Sequence, residues 1–170
     1  MRKLLSSIAL FILCTGIVQA QTRSRSITVT SGTATLTEQF ASDQALRNEY
    51  QGKNTQLFTL SIDWTTSPTS PAGTVLAILP TYNGQILRVI TNPTNTPTDN
   101  YDITLTDADG VDVLDGKGAN RDTTNSESFC PLAGDGTTTN QQWAINNALT
   151  LTITDAGTNK SGVIRLIIKP

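Results

Sequence analysis

Apolar and hydroxyl-bearing side chains alternate along most of this chain, and this two-residue period constrains the fold more than any other feature. Every second residue from Phe58 to Trp64 is apolar, and the same alternation recurs in residues 101–106 and 149–154. Successive side chains of a β-strand point to opposite faces, whereas a helix requires a period near 3.6 residues. The pattern therefore predicts strands with one dry face and one wet face.

Threonine is frequent in these alternating segments, and its β-branched, polar side chain suits the solvent face of a strand. About eight such strands are separated by turns rich in Gly, Pro, Asn and Asp. The closing segment, Val163 to Ile168, is apolar on both faces and is expected to lie centrally between two layers. These features predict an all-β, single-domain β-sandwich of jelly-roll-like type over residues 27–170.

Two local features interrupt the run of strands. Residues 42–51 are the one predicted helix, because Ser42 can cap its start and Gly52 can end it. Alternating apolar residues on either side of Ser31-Gly32 predict a short β-hairpin.

The first 20 residues have the organisation of a secretory signal peptide. Arg2 and Lys3 precede a short apolar stretch, and residues 18–20 (Val-Gln-Ala) provide a cleavage site. The apolar stretch is too short for a permanent membrane span. Cleavage would leave residues 21–26 as a polar, flexible lead-in. The alternative is an uncleaved hydrophobic arm that docks on a partner.

Charge and residue types argue against several function classes. The chain has no histidine, which removes the Ser-His-Asp and Cys-His mechanisms. Loss of residues 1–20 would remove two of the 12 basic residues and none of the 14 acidic ones, leaving a net charge of −4. An acidic chain without a basic stripe predicts no binding to nucleic acid. We therefore expect no enzymatic activity and no cofactor. Cys130 is expected to be a small, half-buried hydrophobic residue rather than an interchain disulfide partner.

One acidic run suggests a metal site. Asp107, Asp109 and Asp112 follow the order D-x-D-G-x-D, which is close to a calcium-binding loop but lacks the glutamate at its twelfth position. The competing interpretation is a turn in which Asp and Gly supply the backbone geometry.

Two aromatic residues and one long polar loop are candidates for ligand binding. Tyr82 and Trp143 lie in predicted loops and can stack on a sugar, whereas the other large aromatic residues fall on the apolar phase of strands. Asn120 and Arg121 lie in the predicted loop 116–125, and long ordered loops are frequent binding sites. The competing interpretation is structural, with ion pairs of Arg121 to nearby aspartates holding the loop against the sheet.

Residues 91–127, TNPTNTPTDNYDITLTDADGVDVLDGKGANRDTTNSE, resemble a family of small, mostly uncharacterised virion proteins of tailed bacteriophages. The resemblance begins near Arg88 and includes the closing residues 149–166, so that it covers about the last half of the chain. Two features depart from the family pattern. Asp115-Gly116 stands where Gly-Gly is usual, and a leader is present although virions assemble in the cytoplasm.

The resemblance implies a non-enzymatic virion structural protein: a capsid decoration, head-fibre or tail-associated subunit. Its expected partners are capsid or tail proteins and further copies of itself, and its expected location is the virion. The leader supports an alternative, in which an exported or envelope-associated β-sandwich recognises a glycan or a surface protein.

Overall fold

The computed structural model describes residues 21–40, 57–69, 73–133 and 141–170. Thirteen β-strands lie in these residues. They are β1 (Gln21–Arg25), β2 (Thr28–Ser31), β3 (Thr33–Phe40), β4 (Phe58–Thr65), β5 (Val75–Ile78), β6 (Gly84–Pro93), β7 (Asp102–Thr106), β8 (Glu127–Phe129), β9 (Leu132–Ala133), β10 (Gln141–Gln142), β11 (Ala144–Ile145), β12 (Thr150–Thr154) and β13 (Ser161–Lys169).

The strands form two curled antiparallel sheets in a sandwich-like arrangement, which confirms the predicted all-β class. The larger sheet has the order β1-β3-β4-β13-β6, and β8 and β11 share the outer edge of β6. The smaller sheet has the order β2-β5-β12-β7, and β9 pairs separately with β10. The closing strand β13 is central within the larger sheet, because it pairs with β4 on one side and β6 on the other. It is not covered on both faces as predicted, since Arg165 and Ile167 are only half-buried and Lys169 is exposed.

The apolar phases of the strands meet between the two sheets and form the core. In β4 the buried residues are Phe58, Leu60, Ile62 and Trp64, while the threonine and serine positions between them are half-buried. The rings of Trp64 and Tyr101 lie 5.7 Å apart, which joins the two sheets at one end of the core. The two-residue period therefore predicted correctly which side chains are buried.

At Gly32 the chain passes from the smaller sheet to the larger sheet. The strands β2 and β3 on either side of it belong to different sheets, so the hairpin predicted at Ser31-Gly32 is wrong. Gly32 has a φ of +68°, and a Cβ at this position would lie 2.5 Å from the carbonyl oxygen of Thr65. Glycine is required here because the chain must combine a left-handed backbone with close contact to β4.

Other predictions need correction or fall outside the described residues. Residues 21–25, predicted as a flexible lead-in, form β1, because their backbone pairs with β3. The strand count exceeds the predicted eight mainly because β8 to β11 are only two or three residues long. The helix predicted at 42–51 and the leader at 1–20 lie outside the described residues. No helix long and apolar enough to cross a membrane occurs in the described ranges.

Candidate functional site

The segment after β7 covers the open edge of that strand, and it contains most of the residues singled out in the sequence. β7 is the last strand of the smaller sheet. Ile103 N donates to Gly118 O at 2.9 Å, and Arg121 N donates to Tyr101 O at 2.8 Å. Val113 N donates to the Leu105 carbonyl at 2.8 Å. The segment thus replaces a neighbouring strand, and we refer to residues 107–121 as the edge cap.

Gly118 allows the edge cap to approach β7 closely. A Cβ on this residue would overlap the backbone carbonyl oxygen of Ile103, and it would lie 3.1 Å from a methyl group of Leu114. Val113 and Leu114 are each 1% exposed and anchor the cap in the core. Burial of two such side chains contributes about 3–6 kcal/mol. These two side chains hold the segment against the core although its backbone follows a series of turns.

Two of the three predicted metal ligands bind backbone amides. Asp107 Oδ1 accepts hydrogen bonds from the N–H groups of Asp109 and Val111 at 3.0 and 2.9 Å. Asp112 Oδ1 accepts from Leu105 N at 3.1 Å, which satisfies a donor of the β7 edge. No group of three or more side chains that could hold a metal ion occurs in the described part of the chain. The arrangement matches the turn interpretation, in which aspartate carboxylates replace missing backbone acceptors.

Arg121 connects the edge cap to the larger sheet. Its Nε and Nη2 donate to the carbonyl of Ala119 at 3.0 and 2.8 Å, and its Nη1 lies 3.5 Å from Glu127 Oε2. The guanidinium also stacks on the ring of Phe129 at 5.2 Å. Glu127 and Phe129 belong to β8 of the larger sheet, so this contact connects the edge cap to the opposite layer. The expected ion pairing of Arg121 occurs with Glu127 rather than with a neighbouring aspartate.

The aspartates near Arg121 orient the backbone instead. Asp102 Oδ1 accepts from the N–H of Asn120, at 2.8 Å. Asp122 accepts from the backbone of Thr124 and Asn125 and from the Asn125 amide. These donors hold the pKa of the Asp122 carboxyl well below its usual range. The predicted ligand residue Asn120 is exposed, but its backbone is committed to the cap.

Tyr101 lies beneath this contact. Burial, reinforced by the neighbouring Glu127 carboxylate, raises the pKa of Tyr101 to about 12. The phenol is therefore uncharged at neutral pH, as its position in the core requires.

Tyr82 lies at a different part of the sandwich and contacts a buried charge. It is 7% exposed, and its hydroxyl donates to Glu38 Oε1 at 2.6 Å. Arg25 Nη1 binds the same carboxylate oxygen at 3.1 Å, and its guanidinium lies 5.7 Å from the centre of the Tyr82 ring. Burial and the hydrogen bond to Glu38 raise the pKa of Tyr82 well above its usual value. The structure therefore commits both the ring and the hydroxyl of Tyr82 to internal contacts.

Sequence reasoning missed this cluster, although a signal was present. Glu38 lies between Leu36 and Phe40 on the inward phase of β3, where the alternation calls for an apolar side chain. An acid at such a position requires a buried partner, since an unpaired charge in a core is strongly destabilising.

Trp143 lies between β10 and β11, away from the edge cap. Its side chain is half-buried against the core, and its carbonyl accepts from Ile86 N at 3.4 Å. The buried indole N–H has no hydrogen-bond partner among the described residues. Of the two aromatic ligand candidates, Trp143 is the one whose polar atom is not already used.

Cys130 is exposed, so the expectation of a half-buried residue is wrong. It directly follows β8 at the edge of the larger sheet.

The structure thus brings five candidates together on one segment: Asp107, Asp109, Asp112, Asn120 and Arg121. Tyr82 and Trp143 each lie elsewhere. No protein-family model matches the sequence, and no curated protein or solved structure is significantly similar to it.

Proposed function

We propose that this chain is a non-enzymatic structural subunit of a bacteriophage virion, attached to the head or the tail. The proposal rests on the contacts that side chains make in the segment that resembles the phage proteins. Within residues 101–121 the side chains of Asp102, Asp107, Asp112 and Arg121 all bind backbone groups. Their chemistry maintains the sandwich and does not form a reaction centre.

A covered edge supports repeated docking on a particle. An open edge strand can add a strand of another chain without control, and proteins avoid this by covering the edge or placing charges on it. The edge cap satisfies the edge of β7 at Tyr101, Ile103 and Leu105. Because this edge is covered, we expect copies of the chain to contact one another through the faces of their sheets. We expect them to self-associate in this way and also to bind capsid or tail proteins.

The decisive experiment separates purified phage particles from cell-free supernatant and identifies the N-terminal peptide in each by mass spectrometry. A peptide that begins at Met1 in the particles supports a virion subunit that retains its hydrophobic arm. A peptide that begins at Gln21 and occurs only in the supernatant contradicts the virion role and supports the exported binding module.

Trp143 favours that module as the second candidate function. A half-buried indole is suited to stack on a sugar through the exposed part of its ring. Loss of glycan-array binding in Trp143→Ala, with binding retained in Ile78→Ala, would support this function. Binding that is absent from the wild-type chain would exclude it. Turnover of any polysaccharide by the purified chain would contradict both proposals.

A further inference from the structure

Charge is divided unequally between two parts of this molecule. Eight of the 14 acidic side chains but only two of the 12 basic ones lie between Asp99 and Glu127, which gives this acidic segment a net charge of −6. The remainder of the chain has a net charge of +4. The acidic segment contains the whole edge cap, and Asp99, Asp109 and Asp115 are exposed on it.

Three basic side chains lie together on the outer face of the larger sheet. Arg165 and Lys169 are on β13 and Arg88 is on the neighbouring strand β6. The register places Arg165 opposite Ile90 and Arg88 opposite Ile167, so the two arginines are diagonal neighbours. Diagonal neighbours on one face of a sheet are about 7–8 Å apart and interact. We call Arg88, Arg165 and Lys169 the basic patch.

The basic patch has no acidic partner among the residues that the structure describes. None of its three cations forms an ion pair in the described residues. Arg88 donates to the hydroxyl of Ser128 at 2.9 Å, which leaves its charge unneutralised. Asp63 lies opposite Val163 and is therefore a diagonal neighbour of Arg165, but the two form no ion pair. Like charges held this close repel one another, so an acidic partner would stabilise the patch.

We propose that the basic patch is the docking surface for the acidic segment of a second copy of this chain. The chain itself supplies a complementary surface of the opposite charge, and the two surfaces lie on different parts of the molecule. Contacts between unlike surfaces are heterologous, and they form rings or filaments rather than two-fold dimers. The proposed function expects copies of the chain to self-associate, and this interface would be the contact between them. The interface therefore rests on the proposed function.

Charge reversal tests the proposal with the purified full chain, kept reduced because Cys130 is exposed. Sedimentation velocity at low salt should show assemblies larger than a monomer. These should dissociate in 1 M salt, where the Debye length is about 3 Å. Arg88→Glu with Lys169→Glu should weaken association by on the order of tenfold or more. Lys117→Glu, a charge reversal at an exposed position inside the acidic segment, is the control and should not weaken it.

A charge-swap mixture provides the sharper result. A second variant, Asp109→Lys with Asp115→Lys, should also be monomeric, because its segment no longer attracts the basic patch. Mixing it with the variant Arg88→Glu, Lys169→Glu should restore association, since each now offers the charge that the other lacks. Failure of the mixture to associate, or a wild-type chain that is monomeric at low salt, would overturn the proposal.

Two further outcomes separate this interface from the virion role. A monomeric chain that binds polyglutamate through the basic patch would overturn self-docking and indicate a different acidic partner. A variant that is monomeric yet remains on purified particles would also overturn the interface as the mode of assembly, while leaving the virion role intact. Salt-sensitive, swap-restored association in a protein absent from particles would support the interface and contradict the virion role.

Discussion

Gly118→Ala should disrupt the edge cap, because a methyl group at this position overlaps the carbonyl oxygen of Ile103. The neighbouring atom belongs to backbone rather than to a flexible side chain, so the cap must move away from β7. Forced overpacking costs about 1–3 kcal/mol. Loss of the bonds Ile103 N to Gly118 O and Arg121 N to Tyr101 O adds about 0.5–1.5 kcal/mol each. We expect a total loss in the free energy of unfolding of about 2–6 kcal/mol.

Gly116→Ala is the matched control. Gly116 has a φ of +70°, but no atom lies within 4 Å of the place that a Cβ would occupy, so alanine there introduces backbone strain without a clash. That strain costs about 1–2 kcal/mol. The two variants therefore separate a steric effect at the contact with β7 from a general effect of replacing glycine in this segment.

Urea unfolding and amide hydrogen exchange measure the two consequences. Gly118→Ala should lower the unfolding midpoint and reduce the protection of the Ile103 and Arg121 amides. Gly116→Ala should retain that protection. If Gly118→Ala matches Gly116→Ala in stability and retains protection at Ile103, the segment does not cover the edge as described, and the reasoning is refuted.

Three other predictions concern groups outside that contact. Tyr82→Phe should destabilise the native chain by about 1.5–3 kcal/mol in urea unfolding, because it removes a hydrogen bond to a charged acceptor. The same change should have little effect in a Glu38→Leu background. Equal effects in both backgrounds would contradict a direct bond between Tyr82 and Glu38. The pKa of Asp122 is lowered on folding, so its stabilisation of the turn is present above about pH 4 and is lost as pH falls through the folded pKa. In an NMR titration the Asn125 amide should stay constant from pH 7 to 4, and a midpoint near 4 would refute this. Cys130 should react with a thiol reagent in the folded chain as fast as in urea, whereas strong protection would show that it is covered.

The alternation of residue types determined the fold class and the core. A strand exposes successive side chains to opposite faces, so burial can be inferred from a few neighbouring residues without knowing which strands pair. Trp64 and Tyr101 fall on the apolar phase of this alternation, and both are buried. The apolar closing strand is also central, since it lies between β4 and β6, although only one of its faces is buried.

Pairing between distant segments was decided only by the tertiary structure. The glycine at position 32 is compatible with a hairpin or with a change of sheet, and only contact with Thr65 distinguishes them. Arg121 had several acids within reach along the sequence, but packing against Phe129 selects Glu127.

The same reason explains the charges. A local pattern marked Glu38 as out of place on the inward face of its strand, yet its partners Arg25 and Tyr82 come from a different strand and a different loop. The basic patch likewise arises because β6 and β13 lie side by side in the sheet, although their paired residues Pro93 and Gly162 are 162 − 93 = 69 positions apart in sequence. Alternation is a property of neighbouring residues and can be read from the sequence, whereas a charge cluster depends on strand order, which only the folded chain specifies.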